Sequence, residues 1–367
     1  MPKLPLVLRL VLLLLSSALH HAQGAPAECA APASRGLGSA IASLAPAAAG
    51  GVRNATRVAY LKTHKTGSTT LGSVLFRYAK RRGVAAVPAG THLFMRYGTE
   101  QAMALRGGVM LQHITAGHMR AGGFAEALRF YDTAIKGNTL ITAVREPTAR
   151  LVSWYYYFVA PHATAPTLDE WLDNGRAAAR CTLAAEFGVY DEVDLAVFLR
   201  EGVGRFAFIS VADRFDESMV VMALQLGWSV ADMLYTPLLD SHTAAGSTRW
   251  DGRALQPTPH VSDLPAATVA RLRAVAHLDY PIYHHATHLL DAAVARYGPR
   301  YVAARAAFDG LQQRLSTLCG AACEDRTRAQ EAWCVWYGLS DIQYEYQLQQ
   351  SARASVHLDG VVPRWWE

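Results

Sequence analysis

The sequence predicts an α/β protein: a central parallel sheet flanked by helices in three layers, followed by a helical C-terminal part. Three observations carry this. Short apolar runs alternate with helical stretches from residue 57 onward, the pattern of strands buried on both faces. From about Leu264 to Gly320 the pattern is nearly all helical. The chain has 367 residues, 51% hydrophobic and 18% charged, which suits one large domain or two small ones.

In chain order, residues 1–24 read as a signal peptide or signal anchor. Lys3 and Arg9 precede an apolar run from Leu10 to Leu19, and Ala22-Gln23-Gly24 offers small residues for cleavage. A run of ten residues is short for a membrane span, and extension back to Leu4 must bury Arg9. Either form directs the body of the protein into the secretory lumen. Residues 25–56, rich in Ala, Gly, Ser and Pro, read as a flexible stem. Asn54-Ala55-Thr56 is a glycosylation sequon that fits such a compartment. The folded domain is assigned to 57–345 and a tail to 346–367.

Within the domain, Arg57–Leu61 reads as the first strand. Residues 69–83 read as a helix, because Leu71, Val74, Leu75 and Tyr78 recur at i, i+3, i+4 and i+7 and Gly83 stops it. Further strands are expected at 109–115, 139–144 and 205–211, with helices over about 148–159 and 216–226. The C-terminal helices should break at Pro281 and at Gly298-Pro299. Segments 161–167 and 240–260 read as loops that could shape a substrate cleft.

The stretch "YLKTHKTGSTTL", residues 60–71, is the strongest signal. A strand, a tight loop and a helix N-terminus make an anion site, because first-turn N–H groups and the helix dipole face outward. Gly67 permits close backbone approach, Lys65 supplies charge, and Thr66, Ser68, Thr69 and Thr70 supply hydroxyls. The loop is P-loop-like, yet its Lys precedes its Gly, whereas a nucleoside-triphosphate loop runs G-x₄-G-K-[ST] and holds Mg²⁺. An ordinary capped helix after a Gly turn is the bland alternative. A second cluster follows the 139–144 strand: Arg145 stands at the carboxyl edge where open α/β sheets bind ligands, Pro147 starts a helix, and Ser153 lies about two helical turns on. A long Arg and a short Ser could converge on one phosphate.

Together the two blocks resemble the sulfotransferase superfamily, whose donor is 3′-phosphoadenosine 5′-phosphosulfate. Lys65-Thr66-Gly67-Ser68-Thr69 is similar to its 5′-phosphosulfate loop, and Arg145…Ser153 to its Arg-x₇-Ser 3′-phosphate site. "LKTHKTGSTTL" is especially similar to the Golgi galactose 3-O-sulfotransferases, as are "ITAGHMR" (114–120), "RFDESMVVMALQLGW" (214–228) and "LDYPIYHHATHLL" (278–290). Gly117 departs from the Asn of the relatives. The resemblance implies a donor-binding set of Lys65, Thr66, Gly67, Ser68, Thr69, Thr70, Arg145 and Ser153. It implies Lys65 and His118 as catalytic groups, Lys65 at the leaving oxygen and His118 as base, with His113 as the alternative. His64 beside the loop orders it or touches the acceptor. The acceptor implied is a galactose-containing glycolipid or glycan. A uronyl or hexosyl O-sulfotransferase acting on another polysaccharide stays open, as do a kinase-like phosphotransferase and a glycan-binding module.

The scheme calls for no metal. His284 and His288 are i, i+4, but no matching ligand cluster accompanies them. A net charge of +5 is too dispersed to indicate nucleic acid. Cys29, Cys181, Cys319, Cys323 and Cys334 should partly pair in an oxidising lumen, with connectivity open. The Trp154–Phe158 aromatic run could stack a base or a sugar, or simply pack.

Overall fold

The computed structural model describes residues 58–82, 85–87, 108–112, 139–174, 181–236 and 253–319. Five strands form one parallel sheet in the order β2-β3-β1-β4-β5. They are β1 (Val58–Leu61), β2 (Ala85–Val87), β3 (Gly108–Gln112), β4 (Thr139–Val144) and β5 (Phe208–Val211). In register, Val58 faces Val109 on one side and Thr139 on the other, and Val144 faces Val211. All four residues of β1 are buried, as a strand central to a doubly covered sheet must be.

Helix α1 (Ser68–Arg82) follows β1 and packs against β2 and β3. Leu71, Val74, Leu75 and Tyr78, the stripe read from the sequence, are all buried. After β4 come α2 (Pro147–Trp154), a π-helical turn (Tyr155–Val159), α3 (Leu168–Asp173), α4 (Leu183–Glu186) and α5 (Glu192–Val197). Helix α6 (Phe215–Leu226) follows β5 and packs on it. From β1 the chain moves toward β2 on one side, and from β4 it moves to β5 on the other. Right-handed crossovers therefore place α1 and the α2–α5 run on opposite faces, giving the three layers expected. The chain end of the described fold is helical: α7 (Ala266–Val275), α8 (Asp279–Tyr297) and α9 (Pro299–Cys319).

Four details depart from the sequence reading. Strand β2 was not foreseen, because three residues of the type Ala-Ala-Val carry little strand signal. The 205–211 run begins with a 3₁₀ turn over Val203–Arg205, and only Phe208–Val211 joins the sheet. The helix expected over 148–159 is α-helical only to Trp154. Pro281 does not break its helix. It lies in the first turn of α8, where its missing N–H would have no intrahelical partner anyway, and the chain bends earlier, at residues 276–278. Gly298 breaks the chain as expected, at φ 48°.

The switch in strand order falls at β1. The connection leaving β1 runs toward β2 and the one leaving its neighbour β4 runs the other way, toward β5, the place where open α/β sheets leave a ligand crevice beyond the carboxyl ends. The 62–67 loop and Arg145 both emerge there.

Candidate active site

The loop begins two residues below the end of β4, since Leu61 is paired with Thr142. The Thr63 hydroxyl continues the register by donating to the Ala143 carbonyl at 2.6 Å. Thr66 is fully buried, and its hydroxyl donates to the Thr63 carbonyl at 3.1 Å. That hydroxyl therefore ties the loop to itself, leaving the Thr66 backbone as its means of meeting an anion. Two residues take left-handed conformations, Lys65 at φ 61° and Gly67 at φ 70°. Glycine pays nothing for this, but lysine is held against its preference. The Gly67 carbonyl accepts the first α1 bond from Leu71 N–H at 3.1 Å. The N–H groups of Ser68, Thr69 and Thr70 thus form the open first turn of a 15-residue helix.

Lys65 and Arg145 meet, although 80 residues separate them: Arg145 Nη1 donates to the Lys65 carbonyl at 3.3 Å. The Lys65 ammonium lies 3.8 Å from the centre of the Tyr157 ring, a cation–π contact. Burial, and then the charge of Arg145, lower the Lys65 pKa to about 7. Arg145 is itself pushed down by burial, against the pull of Asp213 and Glu146. The backbone around Arg145 is pinned: Glu146 N–H donates to Asp213 Oδ2 at 2.7 Å, and Glu146 caps α2 by accepting from Ala149 N–H at 2.6 Å. Tyr280 of α8 donates to the same carboxylate at 2.9 Å.

Ser153, on α2, is 1% exposed, and its hydroxyl has no hydrogen-bond partner among the described residues. A buried hydroxyl without a partner is costly, and a ligand oxygen would satisfy it.

Behind the loop lies a group that sequence reasoning missed. The fully buried Arg150 donates through Nε to the His64 carbonyl at 2.9 Å, through Nη1 to the Cys181 carbonyl at 2.7 Å, and through Nη2 to Glu186 Oε1. The other oxygen of Glu186 accepts from His64 N–H at 2.8 Å and sits 3.3 Å from His64 Nδ1. Burial alone would raise the Glu186 carboxyl, but Arg150 and His64 outweigh it and hold it below its ordinary range. Asp279 supports the same region by accepting from the N–H groups of Leu183 and Ala184 at 2.8 and 2.7 Å. Burial raises its pKa to about 6. Arg150 stands inside the Arg145…Ser153 stretch, where the reading took only the two ends, and Glu186 stands in no local motif.

The aromatic run both packs and lines the site. Tyr155 is buried, whereas Trp154, Tyr157 and Phe158 are half-buried. Trp154 and Phe158 meet the His64 ring edge-on at 5.1 and 5.7 Å. π-Helical turns concentrate at functional sites, and this one aims Tyr157 at Lys65. Of the two expected cleft loops, the described parts touch where Arg253 Nη1 lies 2.7 Å from His162 Nε2. His113 and His118 lie outside the described residues, as do Cys29, Cys323, Cys334 and the leader. His284, His285 and His288 are exposed on α8, and among the described residues no group of His, Cys, Asp and Glu is arranged to hold a metal. No described helix is long and apolar enough to cross a membrane.

Comparison with known proteins decides the family. A family model described as galactose-3-O-sulfotransferase matches residues 2–334. The chain belongs to the galactose-3-O-sulfotransferase family. It is 28% identical to human galactose-3-O-sulfotransferase 3 over 309 residues, 75% of this chain and 68% of that protein. It is 29% identical to the bovine protein of that name over 253 residues, 62% of this chain and 55% of the relative, so it spans little more than half of that protein. Human galactosylceramide sulfotransferase is 28% identical over 350 residues, 86% of this chain and 76% of its own length. Membership in a galactose-3-O-sulfotransferase family implies a sulfuryl donor, and the residues present suit one. The first turn of α1, Lys65, Arg145 and the unpartnered Ser153 hydroxyl offer N–H, cationic and O–H donors, and the Glu146 and Asp213 carboxylates beside Arg145 are engaged by other donors.

Proposed function

We propose that this chain is a lumenal carbohydrate sulfotransferase. It moves a sulfuryl group from 3′-phosphoadenosine 5′-phosphosulfate to the 3-hydroxyl of galactose on a glycolipid or glycan. The observation that carries the reading is the contact between Arg145 and the Lys65 carbonyl. It joins a loop suited to a phosphosulfate to the Arg that opens the stretch ending at the buried Ser153, a pair suited to a separate phosphate. The donor supplies a sulfuryl group on a good leaving group, and in-line attack by the acceptor needs positioning, charge stabilisation and removal of one proton.

In this reading the N–H groups of Ser68, Thr69 and Thr70, with Thr66 and Gly67 behind them, bind the 5′ end. Lys65 stabilises the departing bridging oxygen. Arg145 and Ser153 bind the 3′-phosphate. His118 is the base by its resemblance to the family's His-Met-Arg segment. A second reading rests on a contact: the Glu186 carboxylate beside His64 Nδ1 leaves Nε2 of that ring as a base one residue from Lys65. The acceptor is a galactose-containing glycolipid or glycan, not a nucleic acid. The folded domain, about 57–345, works in the Golgi lumen, released from a cleaved signal or tethered to the membrane by an uncleaved anchor.

Calorimetric titration with the phosphosulfate nucleotide, followed by transfer of radiolabelled sulfate, tests the reading. The acceptors are galactosyl lipids, galactose-ended glycans and uronate polymers. Expected are micromolar-range binding and label on galactose. No donor binding overturns the reading, and label on uronate alone overturns the acceptor. Loss of turnover in His118→Ala but not His64→Ala assigns the base to His118, and the converse assigns it to His64.

A further inference from the structure

We propose that Glu186 is a positioning residue for the transfer reaction, holding the His64 ring with its proton on Nδ1 so that Nε2 is the basic nitrogen. This rests on the reading of His64 as the group that faces the acceptor. An ionised carboxylate only accepts hydrogen bonds, so a neutral imidazole presenting Nδ1 to it must carry the proton there. Nδ1 is 3.3 Å from Glu186 Oε2. The same oxygen accepts the His64 backbone N–H at 2.8 Å, so ring and backbone are referenced to one atom.

The carboxylate cannot turn away. Its other oxygen receives Arg150 Nη2, and Arg150 is itself fixed to the carbonyls of His64 and Cys181. The ring plane is set by the edges of Trp154 and Phe158. The exposures differ in a telling way: the Glu186 side chain is 1% exposed and the His64 side chain 22%. A buried acid therefore lies behind a ring that reaches outward, beside Lys65.

A purely structural role explains less. The His64 N–H needs one acceptor, which a carbonyl or hydroxyl would supply. Burying an ion pair for that purpose gains little, since well-packed apolar side chains are commonly as stable. What a carboxylate adds is control of tautomer and orientation, the service it performs for catalytic and metal-bound histidines generally.

The first measurement needs no variant. In full-length protein labelled with ¹⁵N-histidine, the resonances absent from His64→Asn should report, at mildly alkaline pH, a neutral ring protonated at Nδ1. A ring protonated at Nε2 overturns the proposal. The second is a kinetic cycle. Glu186→Gln should lower kcat roughly 10- to 100-fold, part of what a general base contributes, while donor affinity stays within about threefold. In the His64→Asn background the same change should cost little further, because the two residues act as a unit. Equal losses in both backgrounds, or a loss in donor affinity instead of kcat, make Glu186 structural and overturn the proposal. Wild-type protein that binds no donor fails the wider reading. Donor binding kept with additive losses fails this inference alone.

Discussion

Donor binding should take up a proton at Lys65. In the free protein its half-buried ammonium is desolvated beside Arg145 and the Tyr157 ring, and its pKa falls from 10.5 to about 7. An anionic donor placed on the loop adds opposite charge and moves that value back up. The sign follows: below pH 7 the group is already charged and binding changes nothing, whereas above it binding recruits a proton. At about pH 8 a group of pKa ~7 is only ~10% protonated, so uptake approaches ~0.9 proton per donor; at about pH 6 it is ~0.1. The same linkage makes affinity fall toward ~10-fold per pH unit above neutrality. The assay is titration calorimetry at the two pH values in buffers of different ionisation enthalpy, where the slope of heat against that enthalpy counts protons. Lys65→Met should bind more weakly and lose the uptake. A heat independent of buffer at the higher pH, or an unchanged slope in Lys65→Met, refutes the reasoning.

Two further substitutions separate binding from stability. Ser153→Ala removes a buried hydroxyl that has no partner among the described residues. The melting temperature should therefore hold while donor affinity drops about 10- to 100-fold, the worth of one hydrogen bond to a charged group; a lower Tm with intact affinity contradicts this. Arg150→Met strands the buried Glu186 carboxylate and frees two carbonyls, so chemical denaturation should show a loss of about 3–5 kcal/mol, and an unchanged midpoint counts against the ion pair as a structural anchor.

The sequence reading succeeded where the physics is local. The four-residue stripe of α1 is periodic and buried as a stripe should be, and the Gly67 turn and the Gly298 break are backbone effects of single residues. It failed where neighbours decide. The last turn of the 148–159 stretch is π-helical, although its five residues Tyr155–Val159 carry no local signal of that. Pro281 reads as a breaker until its place in the first turn of α8 is known.

The candidate site divides along the same line. The chain alone determined which chemistry could be present: a Lys and hydroxyls around a glycine at a helix start, and an Arg and a Ser two helical turns apart after a strand. These are spacing properties, readable because helix and strand geometry are regular. Only the tertiary structure decided that the two blocks touch, that the Thr66 hydroxyl turns inward, that desolvation and Arg145 lower the Lys65 pKa to about 7, and that Glu186 stands behind His64 from 122 residues away. The reason is physical. Spacing sets the direction of a side chain within its own element, whereas charge state and orientation depend on which other elements fold against it.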